Sequence, residues 1–122
     1  MLLDLHPEPR LNPVEVRTSA GAARVGALEY SASFIRTIAA ANRSLAALEG
    51  EGAFVREQQV EYEVVSHFDP VAEWQAYLEA EAEYYVLPDE AMLGSINAAL
   101  DQAPGDIALG EWIRATRYRR AG

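Results

Sequence analysis

Residues 30–68 read YSASFIRTIAAANRSLAALEGEGAFVREQQVEYEVVSHF, and the change of period inside this stretch decides the fold. Phe34, Ile38, Ala41, Leu45 and Leu48 recur at steps of four and three, which gathers them on one helical stripe; Arg36 and Arg43 fall on the opposite side. Ser31 or Ser33 supplies the amino-terminal cap, since a side-chain oxygen there accepts from an otherwise orphan backbone N–H. Ala39, Ala40, Ala46 and Ala47 add helix propensity and permit close approach to a sheet, and Gly50 and Gly52 end the helix. From Phe54 the period falls to two. Val60, Tyr62 and Val64 then face one way, and Glu57, Gln59, Glu61 and Glu63 the other. The stretch predicts one long helix over about 31–49 followed by a strand.

Downstream, His67-Phe68-Asp69-Pro70 is a strand end running into a helix start, with Asp69 at the cap and Pro70 at the first helical position. Val71, Trp74, Leu78 and Tyr85 form an apolar stripe, with Glu73, Glu79, Glu81 and Glu83 outside it. A second helix from about Asp89 to Ala103 turns Met92, Leu93, Ile96 and Leu100 inward, and Pro104-Gly105 stops it. Together these make a two-helix insertion over about 70–103, before the last strand. That strand, Asp106 to Arg119, carries Ile107, Leu109 and Ile113 on one side and Trp112 and Tyr118 on the other, which argues for a central place in the sheet.

Antiparallel pairing of the last strand with residues 54–68 would set Arg114, Arg117, Arg119 and Arg120 against the Glu57–Glu63 carboxylates. A phosphate site is the other reading of the arginines. The carboxylate face itself reads either as a metal or acid/base site or as a solvated strand face.

Upstream, Met1-Leu2-Leu3-Asp4-Leu5 is a short apolar run closed by His6-Pro7, and it fits a strand buried on both faces. Pro7, Pro9 and Pro13 keep the next stretch extended. Val14–Arg17 and Arg24–Leu28 flank Thr18-Ser19-Ala20-Gly21 as the arms of a hairpin; being short and half polar, they predict a peripheral flap.

The fold class that results is α+β: a mixed, mostly antiparallel sheet with the long helix packed on it, in a single domain of residues 1–122. Cysteine is absent, which excludes thiolate catalysis, disulfides and cysteine-rich zinc sites. All ten basic residues are arginine, so Schiff-base chemistry and a P-loop are excluded too. A net charge of −9 opposes nucleic-acid binding. No membrane span and no signal peptide are read, so the cytoplasm is the expected location.

LLDLHPEP at the start, YSASFIRTIAAANRSLAAL leading into GAFVREQQVEYEV, the segment HFDPVAEWQAYL and the closing strand together resemble the carboxyl-terminal half of a class I, S-adenosylmethionine-dependent methyltransferase. Such enzymes end with a parallel strand, a helix across the sheet, and two antiparallel strands, the final one inserted between its predecessors. The resemblance implies that the cofactor-binding half is absent. No cofactor and no metal are therefore expected for the isolated chain, and activity would require completion by a partner.

By the rule that open α/β sheets hold ligands beyond the carboxyl ends of parallel strands, His6 and Tyr30, the latter within the flap, are the substrate-side candidates, followed by His67 and Trp74. Each also has a plain structural role: His6 as strand terminator, Tyr30 at a hinge, Trp74 in the core. The function expected is that of a methyltransferase-like half-domain, not catalytic alone, acting as a homodimer or with a cofactor-binding protein partner. The alternative is a small independent α+β ligand-binding module, with Trp74, Tyr62 and Tyr84 lining a pocket under the helical insertion.

Overall fold

The computed structural model describes residues 1–69 and 71–121, so Pro70, expected at the first helical position, lies outside the described residues. In chain order the elements are β1 (Leu2–Pro7), β2 (Asn12–Thr18), β3 (Gly21–Leu28), α1 (Ala32–Gly50), β4 (Phe54–Phe68), α2 (Val71–Ala80), α3 (Glu90–Gln102) and β5 (Gly105–Arg120). β5 is the spine. One of its edges pairs with β4 along nearly the full length, from Arg120 opposite Phe54 to Ile107 opposite Phe68. Its other edge takes two strands end to end: β1, with Leu2 opposite Tyr118, and β2, with Val14 opposite Leu109. The proline-rich link between them holds register because the Glu8 N–H still donates to the Trp112 carbonyl, at 2.8 Å. The apolar residues on both faces of β5 have the predicted consequence, and Ile107 to Gly110 are buried without a break.

Every strand pair among the described residues is antiparallel. β1 and β4 nonetheless run in the same direction, because each opposes β5 from one side. The sheet is therefore antiparallel among the described residues, where a mixed one was expected: no two parallel strands are bonded.

Two further expectations are corrected. β1 is not buried on both faces. It has β5 as its one partner, and burial alternates along it, with Leu3 and Leu5 exposed while Asp4 and His6 turn under α1. Three leucines close together imitated two-sided burial, whereas Asp4 and His6 had already marked the second face as polar. Nor is the hairpin of β2 and β3 a peripheral flap. Val14 and Val16 fall opposite Leu109 and Ile107 and join the core with Leu28, which only direct pairing of β2 with β5 allows. The tight turn works because Gly21 takes a φ of +123°, open to a residue without a Cβ.

Alternation along β5 sorts the helices onto opposite faces. Ile107 and Leu109 face α2 and α3, whose Trp74, Leu78 and Ile96 complete the core. Arg114, of the other parity, bonds Asn42 of α1. Ser31 caps α1 by accepting from the Phe34 N–H, and Phe34, Ile38 and Leu45 turn inward as predicted. The next inward position is Asn42 rather than Ala41, which is exposed, because Arg114 beneath the helix needs an acceptor.

Since α1 covers one end of one face and α2–α3 the other end of the opposite face, two quadrants of the sheet stay bare. One is polar, around Glu15, Arg17, Arg24 and Glu63. The other is apolar: Leu3, Leu5, Val60, Tyr62 and Val64 share the parity of Ile113 and Ala115, and each is between 40 and 59 % exposed.

Where β2 meets β5, a Cβ on Gly105 would collide with the Arg17 carbonyl oxygen, which is backbone and has no room to give. Gly105→Ala is expected to lower stability by about 2–3 kcal/mol in urea unfolding. An unchanged midpoint would mean that the β2–β5 pairing is looser than described.

Candidate functional site

The strand end after β3 and the loop after α2 meet in a short ladder. Tyr30 and Tyr85 form a bridge, flanked by Ser31 N–H donating to the Tyr84 carbonyl at 2.7 Å and Val86 N–H to the Glu29 carbonyl at 2.8 Å. This clamp stacks the two tyrosine rings with centroids 5.5 Å apart. Both hydroxyls then converge on one carboxylate of β5: Tyr30 donates to Glu111 Oε2 at 2.6 Å and Tyr85 to Glu111 Oε1 at 2.7 Å. Phe34, in the first turn of α1, stands edge-on to both Tyr30 and Tyr84, and Tyr77 of α2 closes the group against Tyr85. With Pro7 and Glu81 these residues line an open cleft of about 290 Å³.

Burial, and then the Glu111 carboxylate that each hydroxyl faces, pushes both Tyr30 and Tyr85 well above the ordinary tyrosine value. Neither is therefore a base or nucleophile near neutral pH. They are donors that orient the carboxylate. Glu111 is partly buried and takes part in none of the ion pairs among the described residues.

The four residues singled out from sequence are scattered. Of them only Tyr30 lies in the cleft. His6 sits under α1 on the opposite face, with both ring nitrogens engaged: Nδ1 with Asp4 Oδ2 at 2.5 Å, and Nε2 with Arg114 Nη2 at 2.7 Å. A guanidinium only donates, so Nε2 is the acceptor and the proton is on Nδ1. His67 lies at the far end of the sheet, 3.1 Å from Asp106, in a shallow polar groove with Arg17, Thr18 and Asp69. Trp74 is wholly buried in the core with its indole N–H unpartnered. Of the residues expected around a pocket under the insertion, Tyr84 lines the cleft, whereas Tyr62 faces out from the bare sheet and Trp74 faces in.

The arginine cluster is partly paired with carboxylates. Arg114 approaches Glu8 at 3.5 Å and Arg117 approaches Glu57 at 3.9 Å. The carboxylate of Glu61 goes instead to Arg10, at 2.7 Å, whose guanidinium also lies 4.8 Å from the Trp112 ring centroid. Among the described residues no three acidic or histidine side chains gather to hold a metal ion, and no helix is long and apolar enough to cross a membrane.

Comparison with family models, curated proteins and solved structures finds no match to this chain. Its function must be read from its own geometry.

Tyr85, Glu111, Phe34 and Tyr77 were not legible as site residues. The one available signal was Glu111 itself, an acid set in phase with Ile107, Leu109 and Ile113 on the apolar side of β5.

Proposed function

We propose that the chain is a methyltransferase-like half-domain without the cofactor-binding motifs, which acts by associating with a second copy of itself through its bare apolar sheet face. The observation that carries this reading is β5 lying between β1 and β4 and antiparallel to both, with α1 in the connection that leads from β1, through the in-sheet β2–β3 hairpin, to β4. Without the hairpin, that order resembles the strand arrangement with which class I methyltransferases end. Supporting the self-association, Leu3, Leu5, Val60, Tyr62 and Val64 leave a continuous apolar surface across β1, β5 and β4, of the kind that marks an interaction site. β1 also presents an unpaired edge. A two-fold contact would bury the same patch on both copies at once.

Titration calorimetry of the pure chain with S-adenosylmethionine tests the half-domain reading. No binding is expected, because Gly50 ends α1 and Gly52 follows it, so neither opens a helix to offer a phosphate-type cradle. Micromolar binding would overturn it.

A second reading, an independent ligand-binding module, is favoured by one observation: the cleft around Tyr30, Tyr85 and Glu111 is pre-formed by this chain alone.

A further inference from the structure

Glu111 presents an unusual electrostatic situation. Its carboxylate is partly buried beside β5, oriented by two tyrosine hydroxyls and surrounded by aromatic rings, yet no arginine or histidine among the described residues comes within 4.0 Å of it. The remaining lining adds a second acid, Glu81, and no basic side chain at all. The Tyr30 and Tyr85 hydroxyls are already spent on Glu111 and their stacked rings are buried, so the aromatic surface open to the cleft comes from Phe34, Tyr77 and Tyr84. The aromatic quadrupole puts negative potential on the ring faces, so the rings and the carboxylates select for the same sign of ligand charge. An anion would meet two carboxylates, and a neutral polar ligand would leave Glu111 without a counter-charge. Open space of about 290 Å³ is ample for a compact ammonium head.

We propose that this cleft binds a small alkylated ammonium ion, with its charge set against Glu111 and its methyl groups among the rings of Phe34, Tyr77 and Tyr84. The proposal rests on the ligand-binding reading. The tyrosines act as positioning residues for the carboxylate. Each Glu111 oxygen accepts a hydrogen bond from a tyrosine hydroxyl, which fixes the orientation of the carboxylate in the cleft.

The test is a titration of the full chain, followed by amide chemical shifts, with choline and separately with 3,3-dimethyl-1-butanol, the uncharged analogue of the same shape. Choline is expected to shift the amides of Tyr30, Phe34, Tyr85 and Glu111, with the alcohol binding at least about tenfold more weakly, the size of a desolvated cation–aromatic contact. Glu111→Gln, nearly isosteric and still able to accept from a tyrosine, is expected to weaken choline by at least about tenfold. Should that variant fail to fold, Tyr84→Leu at the half-exposed rim is expected to weaken choline as well. Equal binding of choline and the alcohol would overturn the cation assignment while leaving a ligand site. Absence of shifts with either at high millimolar concentration would sink both the assignment and the ligand-binding reading. Choline affinity unchanged in Glu111→Gln would likewise overturn the assignment.

Discussion

Trimming Trp74 to alanine is expected to cost about 3–5 kcal/mol of stability, the range for removing a fully buried large aromatic from a well-packed core. Trp74 has no exposed surface, and α2 inserts it into the cluster formed by Val14, Leu28, Ile96, Ile107 and Leu109, where β2, β3, α3 and β5 meet. A domain of this size has about 5–15 kcal/mol in total, so the loss takes from about a fifth of the stability to nearly all of it. Trp74→Phe should be far milder. It keeps most of the apolar volume and removes an indole N–H that has no hydrogen-bond partner in the folded chain, a group whose burial is itself costly. Urea unfolding of the two variants separates the cases; a loss below about 1 kcal/mol for Trp74→Ala would show that the insertion is not part of the main core.

The second large effect is alkaline unfolding. In the unfolded chain a tyrosine ionises near pH 10 or so. In the folded chain burial, and then the facing Glu111 carboxylate, hold Tyr30 and Tyr85 well above that value. Between the two values the unfolded state has released protons that the folded state still binds. Stability is therefore intact below the unfolded value and falls as pH rises beyond it, by about 1.4 kcal/mol per pH unit for each tyrosine and about twice that for the pair.

Ultraviolet titration followed together with circular dichroism should show part of the tyrosine signal appearing only as structure is lost. The double variant Tyr30→Phe, Tyr85→Phe should flatten the dependence. Complete ionisation of all six tyrosines with the fold intact would contradict the convergence on Glu111.

Local pattern carried much of the architecture. The step of three and four residues from Phe34 to Leu45 placed α1, the period of two from Val60 to Val64 placed β4, and apolar residues on both faces of residues 107–118 placed β5 at the centre. What failed was whatever depended on the partner rather than on the element. The arms of the hairpin look half polar when read alone, and only the register of Val14 against Leu109 makes them core. The leucines of β1 look buried until the sheet leaves one quadrant uncovered.

The site fared worst for the same reason. Tyr30 and Glu111 are 81 positions apart, and Tyr85 and Glu111 are 26 apart. Their meeting depends on a two-residue ladder between a strand end and a loop, which has no periodicity to read. His6 and His67 stood out chemically, as the two histidines of the chain, but strand parity and position put them on the far face and at the far end.

The reading of this chain as an associating half-domain is tested most directly by its mass in solution. Sedimentation equilibrium at micromolar concentration and above is expected to give twice the chain mass of 13.4 kDa, and the double variant Leu5→Glu, Val60→Glu, which charges the bare apolar quadrant while leaving the buried core untouched, is expected to give 13.4 kDa. A wild-type chain that stays at 13.4 kDa at the highest concentration reached, or a variant that remains a dimer, would contradict the account.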